Sequence, residues 1–259
     1  MTDNIKRIEQ EAQLSLEKKD YEKALKLFSE AGGSYQDIGQ HQQAAVCFAS
    51  AAGCYEAKAG AQSLFYYASS YYSKAAKEAE ISGDFEYASM LYKHAGICYE
   101  RDLEFVGFSE CFFLSKECYR KSLVSNLFNK KNFSNNISIL LRIDYKDVIK
   151  SIILWLSLFF SSLLWGHGER PMRTVGFGCF LVFLFALIYT QGQFIAGQDI
   201  HKPHLLESLY FSLVTIMHIG YWDIKPIGLN HGAAILEAFA GVFILPLFLT
   251  ALCRKYLRF

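Results

Sequence analysis

The sequence predicts an all-α chain in two parts. A cytosolic α-solenoid repeat domain comes first, followed by a membrane domain with two spans, a short re-entrant helix between them and an interfacial helix ahead of them. Three observations predict this. Charge is unevenly spread: residues 1–146 hold 18 Lys and Arg and 19 Asp and Glu, against 8 and 6 in residues 147–259. A pattern of small and aromatic residues recurs through the first part, and long uncharged apolar runs occur only in the second. The chain is 52% hydrophobic and 16% aromatic, which supplies a core and excludes a disordered scaffold. A net charge of +1 excludes a nucleic-acid binder that works by bulk charge.

The first part is read as residues 1–125. Tyr21-Glu22-Lys23-Ala24 leads to Phe28, Ala31-Gly32 and Tyr35. Ala44, Phe48, Ala51-Ala52 and Cys54-Tyr55-Glu56 fill the same slots, as do Ala88, Tyr92, Ala95-Gly96 and Cys98-Tyr99-Glu100. A looser copy holds Ala68, Tyr72 and Ala75-Ala76. Spacings of three, four and seven put each set on one helical face, with small residues letting helices approach and rings filling the gaps. Gly39 and Gly83 fall where a left-handed residue ends one helix and lets the next begin. Two helices per period of about 40 residues is the logic of a repeat solenoid. These residues resemble tetratricopeptide repeats, in particular the longer-helix kind of SNAP-type adaptor proteins. The resemblance covers roughly residues 15–125 and lacks the proline that closes the commonest form of the repeat; other helical solenoids share the small–aromatic pattern. It implies a protein partner of unspecified kind.

Lys18-Lys19, Lys130-Lys131 and the acids around Asp84-Phe85-Glu86 read as solvated faces, and His41 and His94 as histidines without a metal role. No phosphate-binding loop, catalytic triad or paired-carboxylate motif occurs, so neither an enzyme nor a bound cofactor is expected. The seven cysteines make no Cys-x-x-Cys pair and read as buried free thiols in a reducing compartment. The start, Met1 to Lys19, has no apolar run, so no signal peptide is expected and this part belongs in the cytoplasm. The Asn-rich, turn-prone stretch from Asn126 predicts a linker over 126–146.

The membrane domain is read as residues 147–259. Its apolar segments run from Val148 to Trp165, Thr174 to Tyr189 and Ala233 to Leu252. A shorter one, Leu205 to Met217, is too short to span. In the first, Asp147, Lys150, Ser151, Ser157, Ser161 and Ser162 lie near one stripe, which favours a helix lying in the interface. The other two then form spans. Arg170 and Arg173 precede them and Arg254, Lys255 and Arg258 follow, whereas the loop between carries only Lys202 and Lys225. The positive-inside rule puts both chain ends in the cytoplasm of a plasma or bacterial inner membrane.

Between the spans, Ser208 to Thr215 leads into Ile216-Met217-His218-Ile219-Gly220-Tyr221-Trp222-Asp223-Ile224-Lys225-Pro226. A short apolar helix stopping at a Gly-containing extended stretch reads as a re-entrant pore helix and filter loop. Non-helical backbone at membrane depth is tolerated only when buried in protein or lining water, where its carbonyls can replace an ion's hydration shell. Here the sequence resembles the two-span potassium-channel superfamily. Trp165-Gly166-His167-Gly168-Glu169-Arg170-Pro171 is similar to the Trp-Gly-Tyr-Gly-Glu-Arg-Pro lead-in of a bacterial subgroup that joins a cytosolic repeat domain to such a pore. The resemblance covers residues 163–258. It implies a lipid-embedded homotetramer passing a monovalent cation, K+ or Na+. Ile219, Gly220 and Tyr221 would be filter residues, Asp223 the acid just outside, and Thr215 the end of the pore helix.

Two residues depart from that family's pattern. His218 stands where the filter threonine would be, and Trp222 where a second glycine would take a left-handed conformation. Four imidazoles would crowd the inner end and Trp222 would splay the outer end, which predicts weak discrimination between K+ and Na+ or a pore held closed at rest. Glu237, an intramembrane acid, is expected to brace the back of the pore loop by a hydrogen bond. Gly241 and Pro246 are candidates for a gate or hinge, since proline removes a helical hydrogen bond. His201, His204 and His231, brought together in a tetramer, are a candidate extracellular zinc or proton site, though His-x-x-His lacks a third ligand. The function expected is a tetrameric cation channel with an atypical filter, regulated through its repeat domain. The alternative is a non-conducting, membrane-anchored multivalent adaptor in which the pore module only tetramerises the repeats.

Overall fold

Four joints between helices of the N-terminal part are built alike. At each, one residue takes a left-handed conformation: Lys19 (φ +62°), Gly39 (+73°), Gly83 (+82°) and Leu103 (+61°). The amide of that residue donates to the carbonyl three positions back and the next amide to the carbonyl five back, as in Gly39–Gln36 (3.0 Å) and Gln40–Tyr35 (2.9 Å). The same pair of bonds recurs at Lys19–Leu16 with Asp20–Ser15, at Gly83–Glu80 with Asp84–Ala79, and at Leu103–Glu100 with Glu104–Tyr99. This cap satisfies carbonyls that the helix end leaves open. The residue after it opens the next helix: Asp20 and Asp84 accept the amides of Lys23 and Tyr87 through their carboxylates.

The computed structural model describes residues 2–58, 63–132, 145–196, 199–220 and 224–256. The chain divides into two compact units, Met1–Ser162 and Leu163–Phe259. In the first, α1 (Thr2–Glu17), α2 (Tyr21–Asp37), α3 (His41–Lys58), α4 (Ser63–Ile81), α5 (Phe85–Arg101) and α6 (Phe105–Asn132) each pack on the next in sequence. The slots read from periodicity form the core: Phe28, Ala31, Tyr35, Ala44, Phe48, Ala51, Ala88, Tyr92 and Ala95 are all buried. A Cβ on Gly32 would stand 2.7 Å from the Phe48 ring, so α2 and α3 meet where only glycine leaves room.

Buried polar groups are paired across helices. Glu78 accepts from Gln36 Nε2 and meets His41 Nδ1, both at 2.7 Å. Tyr35 Oη donates to Glu9 at 2.8 Å and Tyr72 Oη to Glu56 at 2.7 Å. Burial first, then the Glu9 carboxylate, pushes the Tyr35 phenol up to about 12. Burial, helped by neighbouring carboxylates, pushes the thiols of Cys47, Cys98 and Cys118 up to about 12. Cys47, Cys54, Cys98, Cys111 and Cys118 are buried, but Cys179 and Cys253 are exposed, contrary to a uniformly buried set.

Helix α6 runs through Asn132, into the stretch read as a linker; residues 133–144 lie outside the described residues. Helix α7 (Tyr145–Trp165) follows, and the division between the two units falls inside it. A short 3-10 turn (Gly166–Gly168) leads to α8 (Pro171–Tyr189), whose first residue is a proline preset for a helix start. Then come β1 (Gln193–Ala196), β2 (Asp199–His201), α9 (Leu205–Ile216), β3 (Ile224–Ile227) and α10 (Leu229–Tyr256). The strands form an antiparallel sheet of order β2-β1-β3, pairing Phe194 with His201 and with Pro226. Segments of three or four residues are too short for alternation to announce them, and the sequence reading placed none here. The all-helical class stands, with this small sheet added. Tyr189, Phe194 and Phe211 form its buried aromatic centre, with ring centroids 4.9 Å apart for Tyr189–Phe211 and 4.6 Å for Phe194–Phe211.

Among the described residues, three helical stretches are long and apolar enough to cross a membrane: Val148–Gly168, Pro171–Tyr189 and Leu229–Tyr256. Length and composition therefore do not separate the interfacial helix from a span.

Candidate functional site

The short helix α9 is held by its neighbours α8 and α10. Its serines point into the protein: Ser208 and Ser212 are fully buried. Thr215, read as the pore-helix terminus, is buried and donates its hydroxyl to Phe211 O at 2.7 Å, inside its own helix. The helix ends with the cap used at the helix joints of the first unit. His218 N–H donates to Thr215 O and Ile219 N–H to Val214 O, both at 3.1 Å, and His218 is left-handed at φ +56°. Histidine is among the residues enriched in that conformation. Gly220 is also left-handed, at +87°, with a negative φ at Ile219 between them.

Glu237 lies in α10 with no exposed surface. Its Oε2 accepts from Tyr189 Oη of α8 at 2.6 Å, and its Oε1 meets Ser212 Oγ of α9. Ser212 Oγ also reaches Val182 O of α8 at 2.9 Å. One carboxyl thus ties three helices at a single point. One turn further along α10, Gly241 is buried, and a Cβ there would collide with the carbonyl oxygen of Ile216 and with His218 Cε1. The His218 ring therefore lies back against α10 of its own chain. Helix α10 continues unbroken through Pro246, whose carbonyl accepts from Thr250 Oγ1 at 2.7 Å.

Of the residues singled out from sequence, His218, Ile219, Gly220, Thr215, Glu237 and Gly241 come together here, and Pro246 lies further along α10. Tyr221, Trp222 and Asp223 lie outside the described residues. His201 pairs with Glu207 at 2.8 Å, and within the single chain no group of three metal-ligand side chains occurs among the described residues.

Two features escaped the sequence reading. Asn230, fully buried at the start of α10, donates through Nδ2 to Tyr189 O (3.0 Å) and Gln193 O (3.4 Å). A Cβ on Gly192 would collide with it, so this clamp joins the end of α8, the start of β1 and α10. A polar residue opening an apolar helix was the available signal. The second is the pairing of Glu169 with Arg254, described below.

Residues 177–258 match the family model described as Ion channel. The match covers most of the second unit and none of the solenoid helices. No curated protein and no solved structure matches the chain. Together with the apolar helices, the match supports reading the second unit as a channel-like membrane module.

Proposed function

We propose that the chain assembles as a homotetramer around one axis and passes monovalent cations, K+ or Na+, through a filter of atypical sequence. The observation that carries this reading is the backbone after α9. Helix α9, held between the two long apolar helices α8 and α10, stops at a cap, and the chain leaves it at His218–Gly220 inside the segment that matches the ion-channel family model. Rings of backbone carbonyls from such a segment are what a filter needs in place of hydration water. One re-entrant loop cannot enclose a pore, so a closed cyclic assembly follows. Exposed apolar residues support it: Ile219 is 71% and Phe239 of α10 is 65% exposed in the single chain. Glu237 acts as the brace behind the filter, and Gly241 as the seat on which α10 meets the filter's inner end. Pro246, where α10 lacks one internal hydrogen bond, is the point at which the cytoplasmic end of that helix bends.

In this reading α8 and α10 span the bilayer, α7 lies in its interface, and both chain ends are cytoplasmic. The solenoid, of tetratricopeptide type, binds a protein partner and regulates the pore. Cysteines introduced at Gln193 and at Lys131 are then labelled from opposite sides. Labelling of both from one side makes α7 a span. The main experiment is cation flux from liposomes containing the purified protein, with native mass measurement in mild detergent. K+ or Na+ flux carried by a tetramer is expected, and a monomer or dimer without flux overturns the proposal. A second reading, a non-conducting adaptor tetramerised by the pore module, is favoured by His218 and Trp222 in the filter and predicts a tetramer without flux.

A further inference from the structure

We infer that Glu169 and Arg254 form a latch fixing the last turn of α10 to the segment that joins α7 to α8, and that this latch couples the solenoid to the pore. The coupling rests on the channel reading; the latch itself rests on geometry alone.

The segment is unusual in its backbone. Gly166, His167 and Gly168 are left-handed in succession, at φ +58°, +57° and +86°. All three, and Glu169 after them, are buried. A non-glycine residue keeps such a conformation only where its surroundings over-determine it. What surrounds this turn includes the end of α10. Gly168 has no side chain, and a Cβ there would stand 3.0 Å from Arg254 Nη1 and 3.4 Å from its Cδ. The arginine therefore lies along the glycine and brings Nη2 to 3.2 Å from Glu169 Oε1. The Glu169 side chain is 1% exposed and that of Arg254 37%.

A carboxylate this deeply buried needs a charged or hydrogen-bonding partner, and the planar guanidinium suits that role where one face stays wet. Losing the cation from such a pair costs far more than losing a surface ion pair, so the contact favours two discrete arrangements, made or broken. One turn before Arg254, Ala251 is fully buried, which seats the same end of α10 in the second unit.

Position along the chain makes this contact a coupling device. Along the chain, the solenoid and α7 join the channel module at the turn Gly166–Gly168. Arg254 stands at the opposite end of α10 from the filter contacts at Glu237 and Gly241. A pull on α7 is therefore delivered through the turn to α8 and, by the Glu169–Arg254 pair, to the end of the helix that lines the inner mouth in the proposed tetramer.

The test is a double-mutant cycle on the full chain, using Glu169→Gln, Arg254→Gln and both together, with two readouts. In detergent micelles, amide hydrogen exchange over residues 249–256 is expected to speed at least tenfold in each single variant and no further in the double. Unchanged exchange in the singles, or effects that multiply in the double, overturns the latch. In liposomes, each single change is expected to alter cation flux at least fivefold in the same direction, and the double no more than the larger single. Flux within twofold of wild type, alongside faster exchange, overturns the coupling and leaves a structural tie. Arg254→Lys, which keeps the charge and loses the fork, is the milder variant should Glu169→Gln fail to fold, and intermediate exchange is expected of it. A wild-type protein without flux defeats the channel reading and the coupling, while the exchange readout still decides the latch.

Discussion

Gly241 is the residue on which the candidate site is most sensitive to one added carbon. The atoms that a methyl would meet include the Ile216 carbonyl, which is main chain and cannot swing aside. Gly241→Ala is expected to displace the end of α9 at an overpacking cost of about 1–3 kcal/mol, seen as a lower melting temperature in detergent and a reduced cation flux. Gly178→Ala is the control, because its new methyl would make only an ordinary contact with Ile244, 3.8 Å away. The opposite change suits Leu103, which adopts a left-handed backbone while its side chain is 62% exposed. Leu103→Gly is expected to stabilise the first unit by about 1 kcal/mol, since the penalty for a side chain in that conformation is removed. Thermal or denaturant melts following the helical signal would show it, and a loss of stability would mean that the side chain packs where the joint now leaves it open.

At the scale of elements, what could be read from sequence depended on how far apart the cooperating residues lie. The solenoid helices were legible because Phe28, Ala31 and Tyr35, or Ala88, Tyr92 and Ala95, repeat at helical spacing within one segment and are buried as that spacing requires. Helix α9 was legible from its length and from the glycine after it. The sheet was not, because β1 pairs with β3 across the whole of α9. The Asn230 clamp and the Glu169–Arg254 pair were hidden for the same reason: each joins positions far apart in sequence. The Asn-rich stretch misled at its start, since a turn-prone composition did not stop α6 from continuing to Asn132. Burial of whole helix faces also governs thiol chemistry. Maleimide at neutral pH is expected to modify Cys253, near the end of α10, and to leave Cys47, Cys54, Cys98, Cys111 and Cys118 intact. Their high thiol affinities for protons leave almost no thiolate, and the side chains are enclosed. Mass mapping of labelled peptides checks this; fast labelling of Cys47 or Cys98 would show the solenoid opening.

For the whole molecule, the proposed function turns on whether four filters of this sequence select an ion. His218→Thr with Trp222→Gly is expected to raise K+ over Na+ preference severalfold, read from reversal potentials under bi-ionic conditions. A wild-type pore already strongly K+-selective, or an unchanged double variant, would mean that these side chains do not set selectivity. The cap at the end of α9 bears on the same question. His218 and Ile219 commit their amide hydrogens to carbonyls of the helix, so these two peptides are an extension of α9 and cannot turn independently of it. Helix α9 in turn is tied to α10 at Ser212–Glu237 and at Ile216–Gly241. If the chain assembles as proposed, α10 is the spindle of a tap: a small rotation of that helix carries the end of α9 with it, so flow would be throttled at the filter while the cytoplasmic mouth stays as wide as before.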